Sequence, residues 1–122
     1  MFKEVLQSAI DKTEGAIGAL VLGTDGISVE NVWRNAPINQ NLSTAIAEYT
    51  SFLRNVSRTN KELKLGGLKE ITLTCESKVF LMRMISENYL IAMILSPNGN
   101  FGRGRYELYK AELLLEQYRF II

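Results

Sequence analysis

The glycine-rich stretch from Asn98 to Arg105 (NGNFGRGR) holds the residue types best suited to binding an anion. Backbone N–H groups at the start of a helix, supplemented by the guanidinium groups of Arg103 and Arg105, could hold a phosphate. The spacing matches neither G-x-x-x-x-G-K-[ST] nor G-x-G-x-x-G, and the stretch follows a predicted antiparallel meander rather than opening a βαβ unit. The pattern therefore favours a structural turn over a nucleotide site.

Arginine could also act as an arginine finger, a side chain that reaches a nucleotide held by another protein and stabilises the transition state of phosphoryl transfer. A surface arginine that lies over apolar neighbours is the commoner case. The carboxylates of the last predicted helix have basic neighbours at helical spacing, which is typical of a solvated, ion-paired face. The candidate arginines are Arg54, Arg58, Arg103 and Arg105, and the carboxylates are Glu107, Glu112 and Glu116.

The composition excludes several kinds of active site. The chain has no histidine, which removes the Ser-His-Asp and Cys-His mechanisms and the commonest zinc ligand. A single cysteine, Cys75, cannot form an intramolecular disulfide, which suits a reducing compartment. On its predicted strand Cys75 faces inward, so we expect a small core residue. We expect no catalytic residue, no metal and no cofactor, and therefore a protein that is not itself an enzyme.

Length and charge describe an ordinary globular chain. Its 122 residues fit a single domain over residues 1–122, with 47% hydrophobic and 22% charged residues. A net charge of +1 supplies no strong field for nucleic acid or anionic lipid. The N-terminal sequence MFKEVLQSAIDKTEG lacks the apolar core of a signal peptide. The longest apolar runs are far shorter than the roughly 20 residues that span a bilayer, so we expect a cytoplasmic protein.

The first part of the chain predicts a helix and a hairpin. Apolar residues recur at i, i+3, i+4 and i+7 from Phe2 to Ile10, which indicates an amphipathic helix that Gly15 ends. Two strands follow, Ala16 to Gly23 and Ile27 to Arg34, and the Asp-Gly pair between them is a strong hairpin signal. Trp33 is either an interface anchor or a residue packed against the first helix.

The middle of the chain predicts one long helix. Pro37 breaks the preceding strand pattern, and Asn39 or Asn41 can cap a new helix. From Leu42 to about Leu65 the apolar residues follow a period of 3.6 residues. Two consecutive glycines then end the helix.

Three strands and a last helix complete the prediction. The strands run from Leu68 to Glu76, from Lys78 to Ile85 and from Tyr89 to Leu95, and the short polar turns between them indicate an antiparallel meander. The third strand is apolar on both faces, as a central strand covered on both sides should be. Ser96 to Gly104 has the composition of a loop, and a helix follows from about Arg105 to Phe120.

The element order is therefore α-β-β-α-β-β-β-α, in the α/β (α+β) class. A five-stranded antiparallel sheet carries the long middle helix on one face and the two terminal helices on the other. In this order the chain resembles the Roadblock/LC7 family, and it is similar to the bacterial and archaeal single-domain members. Three stretches carry the resemblance: GAIGALVLGTDGISVE, LGGLKEITLTCESKVFLMRMISENYLIAMIL and NFGRGRYELYKAELLLEQ.

The resemblance implies a profilin-like sandwich that forms a homodimer. The strand from Leu68 to Glu76 would pair with its twin, and the helices from Asn41 to Lys64 would lie side by side on one continuous sheet. The expected dimer-interface residues are Leu42, Ile46, Tyr49, Leu53, Leu68, Glu70, Ile71, Thr72 and Thr74. The residues themselves also allow this, because an uncovered strand edge offers unpaired N–H and C=O groups. The alternative is an ordinary edge that Lys69 and Glu70 protect.

The resemblance further implies binding of a Ras-like small GTPase, or adaptation of cargo to motors, through the paired helices. Some family members stimulate GTP hydrolysis without offering chemistry of their own. The expected GTPase-binding residues are Thr44, Glu48, Ser51, Arg54, Asn55 and Arg58. From the residues alone, the alternative is that they form the polar outer face that an ordinary surface helix has.

Two other functions remain open. One is a pure scaffold or adaptor subunit of a larger complex, with no effect on nucleotide turnover. The other is a small-molecule sensor, although the predicted sheet faces are filled by Leu, Ile, Met and Phe and leave few polar groups to orient a ligand.

Overall fold

The computed structural model describes residues 2–34 and 40–118. The elements follow the predicted order and confirm the predicted fold class. They are α1 (Phe2–Asp11), β1 (Ala16–Gly23), β2 (Ser28–Trp33), α2 (Gln40–Glu62), β3 (Glu70–Thr74), β4 (Val79–Met84), β5 (Tyr89–Leu95) and α3 (Phe101–Tyr118). The possible helix cap Asn39 and the predicted end of the last helix at Phe120 lie outside the described residues.

The five strands form one antiparallel sheet in the order β2-β1-β5-β4-β3. Strand β5 lies at its centre, where Ala92 stands between Leu20 of β1 and Met82 of β4. Every residue of β5 after Tyr89 is buried. This confirms that the apolar run of β5 belongs to a strand covered on both faces.

Helices cover both faces of the sheet and divide the core into two layers. Helices α1 and α3 pack on one face, and α2 packs on the other. The first layer includes Leu6, Ile10, Leu81, Met93 and Leu108. The second layer includes Ile46, Leu53, Phe80, Leu90 and Ile94.

Helix α3 begins at Phe101 rather than near Arg105, so part of the predicted loop is helical. The side-chain Oδ1 of Asn100 accepts a hydrogen bond from the N–H of Arg103 at 3.0 Å, as an N-cap does. Gly104 faces the sheet, and a Cβ at its position would lie 2.8 Å from Cδ1 of Leu81. This glycine therefore serves close packing of the helix on the sheet, although a glycine-rich stretch is typical of a loop.

The structure corrects the predicted position of Cys75 and decides against one of the two positions considered for Trp33. Strand β3 ends at Thr74, so Cys75 belongs to the following turn and is exposed, and the prediction of a core cysteine was wrong. Trp33 packs in the core layer under α2 rather than against α1. Its ring lies over Gly18, where a Cβ would overlap it, and Nε1 donates to Oδ1 of Asn31 at 3.1 Å.

Candidate functional site

Strand β3 is an edge of the sheet and, among the described residues, pairs with β4 alone. The N–H of Cys75 donates to the carbonyl of Lys78, and the N–H of Met84 donates to the carbonyl of Lys69, each at 2.8 Å. Hydrogen bonding alternates along an antiparallel strand, so every second residue of β3 directs its N–H and C=O groups away from β4. The residues that do so are Glu70, Thr72 and Thr74.

The side chains of β3 alternate between the two faces of the sheet. Ile71 and Leu73 lie on the α2 side and are only half-buried. Tyr49 of α2 lies close to the thiol of Cys75. Burial, and to a smaller extent that thiol, raises the pKa of the Tyr49 hydroxyl above its ordinary value.

Helix α2 presents an apolar flank toward this edge. Tyr49, Phe52 and Val56 recur at i, i+3 and i+7 and therefore lie on one side of the helix. The ring of Tyr49 meets that of Phe80 edge to face, with centroids 5.1 Å apart, whereas Phe52 is 50% exposed. Together these residues and their neighbours on β3 form an uncovered apolar surface. We call this the β3-side surface: Tyr49, Phe52, Val56, Ile71 and Leu73.

The structure corrects part of the predicted dimer interface. Leu42, Ile46 and Leu53 are 9%, 0% and 3% exposed and pack on the sheet of their own chain. These three side chains belong to the core rather than to a surface that a partner could reach. Helical periodicity identified the apolar stripe without showing which part of it the sheet covers. Of the other predicted residues, Tyr49, Leu68, Glu70, Ile71 and Thr72 are half-buried and Thr74 is exposed.

Phe52 and Val56 are the surface residues that the predicted interface left out. Both belong to the apolar residues that recur with a period of 3.6 along the predicted helix. Their spacing from Tyr49 was the available signal, because it places them on one flank of the stripe rather than at its centre.

The carboxylate of Glu70 is held within its own chain. It lies 2.9 Å from Nη1 of Arg83 and also pairs with Arg105 of α3. Arg83 in turn pairs with Glu112 of α3 and lies 5.0 Å from the ring centroid of Tyr109. Burial alone would raise the pKa of Glu70, but the two guanidinium groups lower it below its usual value. The network fastens β3 to α3, and the backbone of Glu70, rather than its side chain, faces the open edge.

All six predicted GTPase-binding residues are exposed on α2. Thr44, Glu48 and Asn55 are exposed on the outer face of α2, on the side opposite the sheet. Arg54 lies on the flank of α2 near the β1–β2 turn, where it donates a hydrogen bond to the carbonyl of Thr24. The other two predicted residues, Ser51 and Arg58, are also exposed.

The glycine-rich stretch forms a turn and the first turn of α3, and its arginines are engaged by carboxylates. Nη2 of Arg103 lies 2.8 Å from Oε2 of the buried Glu107, and Arg105 pairs with Glu70. Gly99 packs against Gly15, which has a φ of 85°. These contacts favour the structural interpretation of the stretch over the phosphate site.

Two further properties of the described residues concern metal binding and membrane insertion. Among them, no group of three or more His, Cys, Asp and Glu side chains is placed to hold a metal ion. Within that same part of the chain, no helix is both long and apolar enough to cross a bilayer. The arrangement offers an open strand edge, an apolar flank beside it and a polar helix face above.

The fold resembles solved structures over nearly its whole length. MglC from Myxococcus xanthus is 31% identical, with a TM-score of 0.73, and the match covers 96% of this chain and 98% of that chain. The gliding protein mglB from Thermus thermophilus is 18% identical, with a TM-score of 0.82 and coverage of 95% and 86%. A Roadblock/LC7 domain from Streptomyces avermitilis is 9% identical, with a TM-score of 0.81 and coverage of 94% of each chain. No protein-family model matches the chain, and no curated protein matches it.

Proposed function

The chain belongs to the Roadblock/LC7 family, and from this premise we propose that it is a dimeric regulator or scaffold that binds a Ras-like small GTPase. In this proposal residues 1–122 form one domain that acts in the cytoplasm. The open edge of β3 and the β3-side surface make the dimer, and the outer face of α2 meets the GTPase.

The observation that carries the proposal is the position of the β3-side surface beside the open strand edge. The outward N–H and C=O groups of Glu70, Thr72 and Thr74 suit pairing with a second β3 strand. Antiparallel pairing of two copies would bring the half-exposed side chains of Phe52 from both chains toward each other. Burying such apolar surface contributes roughly 25 cal/mol per Å². Backbone pairing and apolar contact would thus favour the same arrangement.

The dimer would place two α2 helices side by side on one face of a continuous sheet. Thr44, Glu48 and Asn55 would then form a composite polar surface contributed by both chains. A GTPase could lie across this surface with its switch segments against the helix pair. The chemistry of hydrolysis would remain in the GTPase, and this chain would act by favouring one conformation of those segments.

The contact of Arg54 with Thr24 supports a positional rather than a chemical role. An arginine finger must reach the phosphates of its partner, and Arg54 is instead held against the β1–β2 turn. A scaffold that leaves GTP hydrolysis unchanged is therefore the second candidate function.

Affinity capture from the native cell lysate, with a GTP analogue or GDP added, tests the proposal. Mass spectrometry should find a Ras-like GTPase enriched in one nucleotide state. A Glu48→Arg variant should lose this partner, whereas Glu116→Arg, an equal charge change on α3, should keep it. Recovery of other proteins without any GTPase would contradict the GTPase proposal.

Hydrolysis assays with the captured GTPase separate the two candidate functions. An increase in the rate of GTP hydrolysis on adding this protein supports the regulator. Binding without any change in rate supports the scaffold.

A further inference from the structure

A groove runs between the C-terminal half of α2 and the turns that connect the sheet strands at the same end. Two adjoining cavities of about 300 Å³ and 230 Å³ form it. They share Ser57, Lys61, Met84 and Glu87 in their walls, so they are two parts of one elongated space. We call this space the basic groove.

Three cations lie along the helical wall of the basic groove. Arg54, Arg58 and Lys61 recur at i, i+4 and i+7, which places them in a row on one flank of α2. Glu87 is the one carboxylate among the described residues that line the groove. The lining therefore carries a net positive charge, although the whole chain is close to neutral.

The two arginines are held in place by neutral groups. Arg54 donates to the carbonyl of Thr24, and Arg58 donates to Oδ1 of Asn55 at 3.0 Å. Neither of these contacts neutralises the charge of a guanidinium group. Both arginines are thus positioned for an anion while keeping their charge.

The third cation has a carboxylate partner that a ligand could replace. Nζ of Lys61 lies 3.4 Å from Oε1 of Glu87, whose side chain is 82% exposed. Exposed ion pairs of this kind contribute little to stability, at most about 1 kcal/mol. An incoming carboxylate could take the position of Glu87 at small cost.

The groove also has an apolar part, beside the polar residues Thr24, Ser57 and Ser86. Leu53 is buried beneath the cations, and Met84 of β4, which packs on the α2 side of the sheet, lies on the opposite wall. A ligand that fits must therefore carry both negative charge and an apolar group. The elongated shape favours a chain over a compact ion.

We propose that the basic groove binds an extended acidic segment of a partner protein, with carboxylates at alternate positions and apolar side chains between them. Four residues of helix rise about 6 Å, and two residues of extended chain advance about 6.6 Å. Alternate carboxylates of an extended segment can therefore meet Arg54 and Arg58 in turn. The intervening side chains point the other way, toward Met84. This inference shares the two arginines with the proposed GTPase-binding residues, but it does not depend on GTPase binding.

The test uses the full chain and a short fluorescein-labelled peptide in which glutamate and leucine alternate. Fluorescence anisotropy should show saturable binding that weakens as salt is raised. The Arg54→Ala/Arg58→Ala double variant should bind at least about tenfold more weakly, equivalent to about 1.4 kcal/mol. A Lys3→Ala/Lys78→Ala double variant removes the same charge far from the groove and should bind as the wild type does. NMR shifts of the amides of Thr24, Ser57 and Glu87 should report the site directly.

Three results would overturn the inference. The alternating peptide fails to bind at millimolar concentration, or a peptide of the same composition with its glutamates in one block binds equally well, or both double variants weaken binding to the same extent. Vesicles of anionic lipid are a further arm, and capture by vesicles without peptide binding would assign the cations to a membrane surface instead. GTPase capture by the wild type is measured separately, so either proposal can fail without the other.

Discussion

Glu70 and Arg83 stand opposite each other on β3 and β4, with Oε2 and Nη1 2.9 Å apart. The same guanidinium group reaches Glu112, and Glu70 also reaches Arg105, so both partners are shared with α3. Strand β3, which pairs with β4 in the sheet, is thereby also fastened to α3. Strand β3 can keep its position in the single chain while its outer side stays open.

The pKa of Glu70 makes this network pH-dependent. Its folded-state pKa is below the unfolded value, so the stabilisation is present above the unfolded pKa and is lost as pH falls through the folded pKa. We expect Glu70→Gln to lower the free energy of unfolding by about 1–2 kcal/mol at neutral pH, and by less in acid. Chemical denaturation at neutral pH, and again below the folded-state pKa of Glu70, measures the free energy of unfolding under both conditions. Glu76→Gln, at an exposed turn position, serves as the control, and an equal loss at every pH would contradict the expectation.

The contact between α3 and the sheet predicts opposite effects for two neighbouring glycines. A Cβ at Gly104 would lie 2.8 Å from Cδ1 of Leu81 and 3.3 Å from the sulfur of Met93. We expect Gly104→Ala to lower the free energy of unfolding by about 1–3 kcal/mol through overpacking. Gly102 is exposed on the same helix, and Gly102→Ala should raise stability by up to about 1 kcal/mol through helix propensity. Thermal denaturation of both variants checks the signs, and a stable Gly104→Ala protein would refute the packing argument.

The direction of the β3 backbone groups predicts a proline that blocks pairing without unfolding the chain. The N–H of Thr72 points away from β4, whereas that of Leu73 points toward it. Thr72→Pro removes only an outward donor, so we expect a folded monomer. Leu73→Pro removes a bond within the sheet and should be strongly destabilised. Light scattering gives the oligomeric state, and circular dichroism gives the fold; a dimeric Thr72→Pro protein would mean that the edge is not the interface.

The β3-side surface predicts that one exposed aromatic residue matters for association and another does not. Phe52 on α2 and Tyr106 on α3 are 50% and 53% exposed, on opposite faces of the sheet. Phe52→Glu places a charge in the proposed interface, so we expect the dimer dissociation constant to rise at least about a hundredfold, equivalent to about 2.7 kcal/mol. Tyr106→Glu should leave association unchanged. Sedimentation equilibrium measures both dissociation constants. If the two changes had a similar effect on dimerisation, α2 would not be part of the interface.

The sequence predicted the layered fold because its strongest patterns have single physical causes. The run from Tyr89 to Leu95 is apolar at every position, and only a strand covered on both faces can bury all of it. The pair Asp25-Gly26 predicted the first hairpin. In that turn Oδ1 of Asp25 accepts a hydrogen bond from the N–H of Ile27 at 2.9 Å.

The remaining differences arose where tertiary contact overrides a local preference. Gly104 disfavours a helix locally, but close approach to Leu81 requires it there. Cys75 continues the alternation of β3, yet the strand ends one residue earlier. Only part of the apolar stripe of α2 packs on the sheet, so periodicity could not separate the buried Leu53 from the exposed Phe52. The basic groove is lined by α2 together with turns that are distant from it in sequence. A local sequence pattern therefore cannot predict such a site.

The placement of β1 beside β5 sets an order of events during synthesis. Residues 16–23 leave the ribosome long before residues 89–95, yet they are neighbours at the centre of the sheet. Until β5 emerges, β1 can pair only with β2 and β4 only with β3, so the edges of β1 and β4 that β5 will join stay open. Non-local pairing of this kind is slow and leaves hydrophobic strand surface exposed meanwhile. The chain therefore cannot complete either core layer before its last strand has been made, and nascent copies are at risk of pairing with one another through β1 before that strand arrives.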